Sequence, residues 1–459
     1  MVNLDDIRKI HFVGIAGAGM RAIANVFIEK GYDVSGSDIR ESDITRRLAE
    51  KGARICIGQK GENLEDAQVV VVSSAIRSDN AEVVEARRRQ IPVIHRSDAL
   101  VHIMTWGKGI SVAGAHGKTT TSSMLGQVFE ENHMDPTIVI GGEVDYLHSN
   151  SILGKGKYVI AEADESDGTF LKQKPYIAVV TNIDADHMDH YGSLANVVEA
   201  FKEFIQKLDP ETGLAVLCVE NERIRALAPH VQRRYVSYGI DQPADYQASN
   251  LHYVAGRLHF DVSFQGTHLG EVVLHVPGRH NVLNALATIA VALHCGIPFA
   301  GIAEALSHFH GAKRRFQTKG IVKDVWVVDD YAHHPTEINA TLTAARDMGT
   351  HRVVCVFQPH RYTRTKLLLN QYGAAFAKAD ELIVTDVYSA GEDPIPGISG
   401  KLIADKVRET TGQDVRYIPH ADDVVAYLEE TSRPFDLIIT MGAGDIYKVG
   451  ERYLEAVRK

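Results

Sequence analysis

The chain has 459 residues, of which 45% are hydrophobic and 24% are charged, and its formal net charge is -10. These values are typical of a soluble globular protein and exclude a general nucleic-acid binder, which needs a basic face. No run approaches about 20 apolar residues, and the N-terminal segment MVNLDDIRKIHFVGI does not resemble a secretory signal, so we expect no membrane segment. The four cysteines form no Cys-x-x-Cys pair, which fits a reducing cytoplasm.

Strand-like and helix-like runs alternate over residues 1–107. The predicted strands are KIHFVGI, DVSGSD, QVVVVSSAI and IPVIHR, and GMRAIANVFIEKGY is a predicted helix. This alternation is typical of a parallel sheet covered by helices on both faces. We interpret this part of the chain as a Rossmann-like domain.

A second domain is predicted over residues 108–311. Its predicted strands are GISVAG, KYVIAEAD and YIAVVTNID, and its predicted helices are TTTSSMLGQVFEEN, SLANVVEAFKEFIQKL and RHNVLNALATIAVALHCG. From about Tyr246 the pattern changes to alternation, as in LHFDVSF and GEVVLHV, which indicates an added antiparallel strand set.

A third domain is predicted over residues 312–459. Its predicted strands are VWVVDDY, RVVCVFQP, ELIVTDVY and FDLIITMG, and TEINATLTAARD is a predicted helix between two of them. The fold class that follows is α/β, with three domains in series and a second Rossmann-like domain at the C-terminus.

The segment VAGAHGKTTT is a glycine turn between a predicted strand and a predicted helix. Backbone N–H groups at such a helix start bind phosphate, while Lys118 would reach the β and γ phosphates and Thr119 a Mg²⁺ ion. Gly114 and Gly117 have two residues between them, whereas the usual P-loop has four. The alternative is a glycine turn with an ordinary helix cap.

The shortened loop resembles the ATP loop of the Mur ligase family and of folylpolyglutamate synthetases. HFVGIAGAGM, EADESDGTF, TNIDADHMDHYG, PGRHNVLNAL, RRF, DDYAHHPTEI and FQPHRYTRT follow the Mur ligase order, over nearly the whole chain. They are most similar to the branch that joins L-alanine to UDP-N-acetylmuramate. Two departures are Ala16, where glycine is usual, and Ala115, where threonine is usual.

This resemblance implies a cytoplasmic, ATP-dependent ligase of bacterial peptidoglycan precursor synthesis. Its small-molecule substrates would be UDP-N-acetylmuramate and L-alanine, joined through an acyl phosphate with Mg²⁺, as two ions. The first domain would bind the UDP-sugar, the second ATP and the third the amino acid. We expect a monomer or homodimer that binds neither nucleic acid nor membrane.

The resemblance also implies the residues of the nucleotide and metal sites. The ATP residues would be Gly114, Ala115, His116, Gly117, Lys118, Thr119, Thr120, His280, Asn281 and Asn284. Glu162 and Thr119 would hold one Mg²⁺, and His187 would help to hold a second. The alternatives are acidic loops on a solvated face and, for His280 and Asn281, capping of a helix. Lys202 lies where some relatives carry a carbamylated lysine, but we expect it to be unmodified.

The turn GIAGAGM allows a different interpretation, because a strand, a glycine turn and a helix followed by Asp38 resemble an NAD-binding fingerprint. An NAD-dependent oxidoreductase is therefore an alternative, although Ala16 breaks the fingerprint. The resemblance instead implies UDP-sugar residues Gly14, Gly17, Ala18, Gly19, Met20, Asp38, Ser73, Ser74, His95, Arg96 and Arg315. Capping and turn formation are alternatives for Asp38 and Ser73.

Arginine binds a carboxylate with a bidentate fork, and PHRYTRT supplies Arg361 and Arg364. If this segment is helical, both arginines point the same way. The resemblance implies an alanine pocket of Tyr331, His334, His360, Arg361 and Arg364, in which Tyr331 limits the size of the amino acid. A solvated basic turn is the alternative, and no third and fourth ligand at zinc-like spacing accompanies the His-His pair.

The incoming amine must lose a proton, and His187 and His333 are both candidates for the base. Two further alternatives concern the whole chain. A murein-recycling ligase would add a peptide to the same UDP-sugar and would need a larger pocket. A non-catalytic nucleotide-binding regulator would not need the full set of candidate residues.

Overall fold

The computed structural model describes residues 4–144, 149–349 and 352–458. Contacts divide the chain into two units. The first unit comprises Met1–Leu251, Phe260–Val273 and Leu283–Phe309, and the second comprises His252–His259, Leu274–Val282 and His310–Lys459. Within the described residues, no helix has the length and apolar character that a membrane crossing requires.

The N-terminal part of the first unit is a parallel sheet with helices. Its elements are β1 (Lys9–Val13), α1 (Ala18–Glu29), β2 (Asp33–Asp38), α2 (Asp43–Glu50), β3 (Arg54–Ile57), β4 (Val69–Val72), α3 (Ala81–Arg88), β5 (Val93–His95) and α4 (Arg96–Met104). The strand order is β3-β2-β1-β4-β5, and every pairing is parallel. The sequence prediction of a parallel sheet is confirmed.

Central strands of this sheet are buried, which explains their continuous apolar sequence. The first three valines of β4 are fully buried, as expected for a strand covered on both faces. Helix starts are fixed by side chains that accept backbone N–H groups: Ser42 forms a capping box at α2, and Asn80 caps α3.

A ten-stranded sheet follows. Its elements are β6 (Lys108–Ala113), α5 (Lys118–Glu131), β7 (Thr137–Val144), β8 (Ser149–Ile152), β9 (Tyr158–Glu162), β10 (Ile177–Val180), α6 (Met188–Tyr191), α7 (Leu194–Gln206), β11 (Leu214–Cys218), α8 (Glu222–Leu227), β12 (Tyr235–Gly239), β13 (Tyr246–Val254), β14 (Arg257–Phe264), β15 (Thr267–Leu274), α9 (Arg279–His294) and α10 (Phe299–Ser307). The strand order is β15-β14-β13-β12-β11-β10-β6-β9-β7-β8.

The added strand set predicted after Tyr246 is present as β13, β14 and β15. Two-residue turns join these neighbouring strands, and both residues of each turn have positive φ: 49° and 77° at Ala255 and Gly256, 47° and 79° at Gln265 and Gly266. Such turns connect antiparallel strands. The sequence prediction did not include β8, which pairs antiparallel with β7.

The two sheets of the first unit share a hydrophobic cluster. Helix α1 contacts β7 and β8, and Val139, Val159 and Ala161 of the larger sheet pack with the core of the N-terminal sheet. Asn25 of α1 donates to the Ser151 carbonyl at 3.3 Å. Because of this shared core, the predicted boundary after residue 107 separates two sheets within a single compact unit.

The second unit contains the C-terminal sheet. Its elements are β16 (Gln317–Val322), β17 (Val325–Asp330), α11 (Pro335–Asp347), β18 (Arg352–Phe357), α12 (Tyr362–Leu367), α13 (Leu369–Ala375), β19 (Glu381–Val384), α14 (Gly400–Thr411), β20 (Val415–Tyr417), α15 (Ala421–Thr431), β21 (Asp436–Met441) and α16 (Tyr447–Arg458). The order is β16-β17-β21-β18-β19-β20, and only the edge pair β16–β17 is antiparallel among the pairings described. The sequence prediction had omitted this edge strand.

Candidate active site

The predicted phosphate loop connects the buried strand β6 to α5. Gly114 and Gly117 have φ of 140° and 85°, which residues with side chains rarely adopt. A Cβ on Gly114 would lie 2.0 Å from Thr181 Oγ1, and a Cβ on Gly117 would lie 2.7 Å from Asn284 Oδ1. Both glycines are therefore required by backbone conformation and by close packing.

Side chains from the end of β10 and from α9 hold this loop. Asn182 Oδ1 accepts the His116 N–H at 2.9 Å, and Asn182 Nδ2 donates to the His116 carbonyl at 2.8 Å. Thr121 Oγ1 donates to Asn284 Oδ1 at 3.1 Å. Asn182 is a loop-positioning residue that the sequence prediction missed, although it follows a buried strand directly.

The Lys118 ammonium is the central charge of the loop. Lys118 Nζ donates to the Gly114 carbonyl at 2.6 Å and to the two Glu165 oxygens at 2.9 and 2.8 Å. Burial opposes the charged amine, but the Glu165 carboxylate raises the pKa of Lys118 above its ordinary value. Lys118 is thus a fixed cation at a helix N-terminus, where phosphate oxygens bind.

The predicted metal residues Thr119 and Glu162 are neighbours. The Glu162 carboxylate accepts the Gly141 N–H at 3.0 Å, and the nearby Thr119 hydroxyl favours its charged form. Burial raises the pKa of Glu162. A carboxylate and a hydroxyl are hard oxygen donors, and a divalent cation would offset the cost of burying the carboxylate charge, so these residues fit Mg²⁺.

His187 also lies near Glu165, the acid that pairs with Lys118. Its Nε2 is 3.6 Å from Glu165 Oε1 and 3.5 Å from Asp186 Oδ2, and its backbone has a φ of 56°. A non-glycine residue held at positive φ is a common feature of functional sites. Glu165, which the predicted site omitted, therefore connects Lys118 with His187.

The structure also gives the surroundings of Ala115, Thr120 and Lys202. Ala115 donates its N–H to the Asn182 carbonyl at 3.4 Å, and the Thr120 side chain is buried in α5. Lys202 pairs with Glu199 at 3.2 Å on a helix surface. An unmodified Lys202 stays a prediction.

The glycine turn of the N-terminal sheet leads into α1. Gly14 has a φ of 73°, and its carbonyl accepts the Gly17 N–H at 3.1 Å. Helix α1 begins at Ala18 without a side-chain cap or an acidic residue in its first turn, and Met20 is buried. Uncapped N–H groups at a helix start can bind a diphosphate.

Asp38 helps to form this turn, because its Oδ2 accepts the Ala16 N–H at 3.0 Å. Ser73 also has a turn role, since its carbonyl accepts the Ile76 N–H at 3.0 Å. The turn-forming alternatives that we gave for Asp38 and Ser73 are therefore present in the structure, and their contact with a nucleoside stays a prediction.

Three predicted UDP-sugar residues meet acids from the segment after β9. Arg96 Nη2 donates to Asp164 Oδ2 at 2.6 Å. Ser74 Oγ donates to Asp167 Oδ2 at 2.6 Å, and His95 Nε2 lies 3.7 Å from the same oxygen. The segment EADESD therefore contacts both the phosphate loop and the residues predicted to bind the UDP-sugar.

In the second unit, four of the predicted residues form a connected aromatic and cationic group. The His333 ring lies 5.5 Å from the Tyr331 ring and 5.9 Å from the His360 ring, between centroids. His360 Nδ1 is 3.1 Å from Arg364 Nη1. Burial lowers the pKa of His360 to about 3, so this imidazole is neutral and accepts from the arginine.

The helical condition that we set for Arg361 and Arg364 is met only by Arg364. Arg361 precedes α12 with a φ of 68° and a ψ of 137°, whereas Arg364 lies within the helix. The Arg361 N–H donates to the Tyr388 carbonyl at 2.8 Å, so this residue is bonded to a distant part of the chain.

Tyr331 also lies against two arginines, with the Arg314 and Arg315 Cζ atoms 5.1 and 5.2 Å from its ring centroid. Arg315 Nη1 is 3.7 Å from Glu337 Oε1. The predicted contact of Arg315 with the UDP-sugar is untested. His334 is 1% exposed and caps α11 by accepting the Thr336 N–H.

His280 and Asn281 lie inside the first turn of α9. Asn281 Nδ2 donates to the Pro277 carbonyl at 2.7 Å. Burial lowers the pKa of His280 to about 4, and the nearby Arg315 charge lowers it further. Contacts of both residues with ATP stay predictions.

Three family models match the chain in order. They are described as the Mur ligase family catalytic domain (residues 9–106), the Mur ligase middle domain (residues 112–292) and the Mur ligase glutamate ligase domain (residues 314–444). Together they extend over most of the three sheets.

Curated relatives match over nearly the whole chain. A UDP-N-acetylmuramate–L-alanine ligase of Syntrophotalea carbinolica is 51% identical over 449 residues, which cover 98% of each chain. A protein of the same name from Pelotomaculum thermopropionicum is 50% identical over 457 residues, covering 99% of each.

Two solved structures also align with nearly the whole chain. The UDP-N-acetylmuramate-alanine ligase MurC of Thermotoga maritima is 31% identical with a TM-score of 0.83, covering 98% of this chain and 99% of that chain. A murein peptide ligase from Psychrobacter arcticus is 24% identical with a TM-score of 0.70, covers 98% of each chain and is similar in fold alone. With its models matched in order and relatives that align end to end, this chain belongs to the Mur ligase family.

Proposed function

We propose that this chain is an ATP-dependent ligase that joins L-alanine to the lactyl carboxylate of UDP-N-acetylmuramate through an acyl phosphate. This reaction is a step of bacterial peptidoglycan precursor synthesis, which we place in the cytoplasm. The names of the full-length relatives support the choice of substrates. The half-buried Lys118 cation at the N-terminus of α5 carries the proposal, because it is the group that a transferable phosphoryl needs.

The first step makes the carboxylate reactive. A lactyl carboxylate oxygen attacks the γ-phosphorus of ATP, the bond from this phosphorus to the ADP oxygen breaks, and ADP leaves. Lys118 would hold the γ-phosphoryl oxygens, and the N–H groups at the start of α5 would hold the other phosphates. Thr119 and Glu162 would hold one Mg²⁺ and His187 a second, and these ions would neutralise phosphate charge.

The second step forms the amide. The alanine nitrogen attacks the acyl carbon, the bond from this carbon to the phosphate oxygen breaks, and inorganic phosphate leaves. The attacking amine gives up a proton, for which His333 is the proposed base when His187 holds Mg²⁺, and His187 is the alternative when it does not. Exclusion of water protects the acyl phosphate from hydrolysis.

Each substrate has a proposed binding group. The uncapped N-terminus of α1, with Gly17, Ala18 and Gly19, would bind the UDP diphosphate. Arg361 and Arg364 would bind the alanine carboxylate, because a guanidinium forms paired hydrogen bonds with a carboxylate. Tyr331 would limit the space for the amino-acid side chain.

Amino-acid choice is the direct test of this proposal. The measurement is phosphate release from ATP in the presence of UDP-N-acetylmuramate. The second substrate is, in turn, L-alanine, L-serine, glycine or a murein tripeptide. The highest kcat/KM is expected for L-alanine, with glycine lower by about tenfold or more because one methyl group contributes roughly 1–3 kcal/mol. A preference for the tripeptide would instead identify a murein-recycling ligase.

The metal assignment makes a separate prediction. Glu162→Gln keeps the shape of the side chain but removes its charge, so the Mg²⁺ concentration for half-maximal rate should rise by about tenfold or more. His187→Ala should also raise it. Glu199→Gln, which neutralises an exposed carboxylate, is the matched control and should leave the requirement unchanged. Equal Mg²⁺ dependence in wild type, Glu162→Gln and His187→Ala would show that these residues are not ligands.

A further inference from the structure

The acidic segment at residues 162–167 faces two sets of partners in alternation. Glu162 and Glu165 meet the phosphate loop, through Thr119 and Lys118. Asp164 and Asp167 meet the N-terminal part of the unit, by the hydrogen bonds already described. A single stretch of chain therefore contacts both proposed nucleotide sites of the first unit.

Arg96 packs beside the proposed diphosphate site. Its Nη1 lies 2.9 Å from the position that a Cβ on Gly19 would occupy, so the guanidinium packs against the first turn of α1. Its Nη2 donates to Asp164 Oδ2 at 2.6 Å. The two terminal nitrogens therefore have different neighbours, since one contacts the acid and the other lies at the glycine turn.

Asp164 and Glu165 are adjacent in this segment, and each holds a different cation. Glu165 pairs with Lys118 at 2.8 Å, and Asp164 pairs with Arg96 at 2.6 Å. Neighbouring acids of one short stretch thus contact a cation of the phosphate loop and a cation at the glycine turn. A change in the position of this stretch at one site is therefore transmitted to the other.

We propose that Asp164 is a positioning residue that holds Arg96 for the UDP-sugar diphosphate and thereby couples binding of this substrate to binding of ATP. The inference rests on the proposed function. A guanidinium fixed in place loses less freedom when it binds a phosphate than a mobile one does. When ATP phosphates engage Lys118, its partner Glu165 is fixed as well, and the adjacent Asp164 then holds Arg96 at the glycine turn.

The two substrates should therefore bind more tightly together than separately, and the coupling must be reciprocal. Calorimetry of the full chain measures UDP-N-acetylmuramate affinity with and without a non-hydrolysable ATP analogue and Mg²⁺. Asp164→Asn should weaken UDP-N-acetylmuramate binding by about tenfold, raise its KM more than it lowers kcat, and remove most of the coupling. Asp164→Glu should restore part of the affinity. Binding of the ATP analogue alone should not weaken.

A double-mutant cycle separates this role from a merely structural one. In an Arg96→Gln background, Asp164→Asn should cause no further loss, because the acid acts through the arginine. Lys172→Gln is the matched control, since Lys172 pairs with Asp98 at 2.8 Å across the same two parts of the unit without contacting Arg96 in the described structure. Its affinities and coupling should equal those of the wild type.

The outcomes distinguish the inference from the proposed function. Absence of UDP-N-acetylmuramate binding by the wild type would overturn the proposed function itself. Normal binding and normal coupling in Asp164→Asn would overturn only the inference, as would fully additive losses in the cycle. Should Asp164→Asn fail to fold, the coupling is measured in Arg96→Gln and Asp164→Glu, and wild-type coupling in Arg96→Gln contradicts the proposal.

Discussion

Lys118→Ala should lower ligase turnover by about 100-fold to 1000-fold or more, the usual effect of removing one preorganised group that stabilises developing charge. Lys118 supplies a fixed positive charge at the phosphate loop, and no other cation contacts the Gly114 carbonyl in the described structure. The measurement is phosphate release with saturating UDP-N-acetylmuramate, L-alanine and Mg²⁺.

The same substitution should also affect folding, because Lys118 is the partner of a buried acid. Glu165 is 3% exposed, and loss of the ammonium leaves its carboxylate without this ion pair. Breaking a buried pair by removing one partner costs about 3–5 kcal/mol of unfolding free energy. Lower activity in Lys118→Ala alone could therefore reflect a smaller folded fraction.

The double variant Lys118→Ala with Glu165→Gln separates the two effects. Removal of both charges should recover most of the lost unfolding free energy, measured by denaturant titration, while turnover remains low. Wild-type turnover in either variant would contradict the phosphate-loop assignment. Recovery of activity together with stability in the double variant would show that Lys118 acts only on folding.

The phosphate loop was predictable from sequence because its requirements are local. A strand, glycines at positive φ and a helix start lie within ten residues, and Lys118 is the first residue of that helix. The contacts of Lys118 were not predictable in the same way. Glu165 is 47 residues away in sequence, and only the packing of β9 beside β6 brings it to the loop.

The contact of Arg96 with Asp164 was also not predictable from local sequence, because the two residues are separated by 68 positions. The sequence placed Arg96 near the UDP-sugar, but its pairing with Asp164 follows from a hydrophobic core that joins two sheets. The NAD-dependent oxidoreductase interpretation was wrong for a related reason. A glycine turn before a helix can bind any diphosphate, so the local pattern did not identify the ligand.

The alanine pocket gives the second large effect that we expect. Arg364→Ala should raise the KM for L-alanine by about two orders of magnitude or more, because a lost charge contact in a partly buried site costs roughly 2–5 kcal/mol. Contact with the neutral His360 imidazole fixes the guanidinium in one orientation. Arg364→Lys keeps the charge but loses the planar fork, so an intermediate KM is expected.

The KM for UDP-N-acetylmuramate should change far less in Arg364→Ala, because we assign that substrate mainly to the glycine turn of the N-terminal sheet. Equal increases in both KM values would contradict a specific role in alanine binding. Steady-state rates are measured by varying each substrate in turn at saturating concentrations of the others.

Tyr331→Ala should change which amino acid the enzyme prefers rather than its affinity for the amino-acid carboxylate. The ring packs against His333 and two arginines, so its removal leaves space for larger side chains. An apolar wall discriminates by about 1–3 kcal/mol per methylene, and the preference for L-alanine over larger amino acids should fall accordingly. Tyr331→Phe keeps the ring and should keep the preference, which separates size limitation from any role of the hydroxyl. If Tyr331→Ala lowers all rates equally without relaxing the preference, the ring positions the arginines and does not limit pocket size.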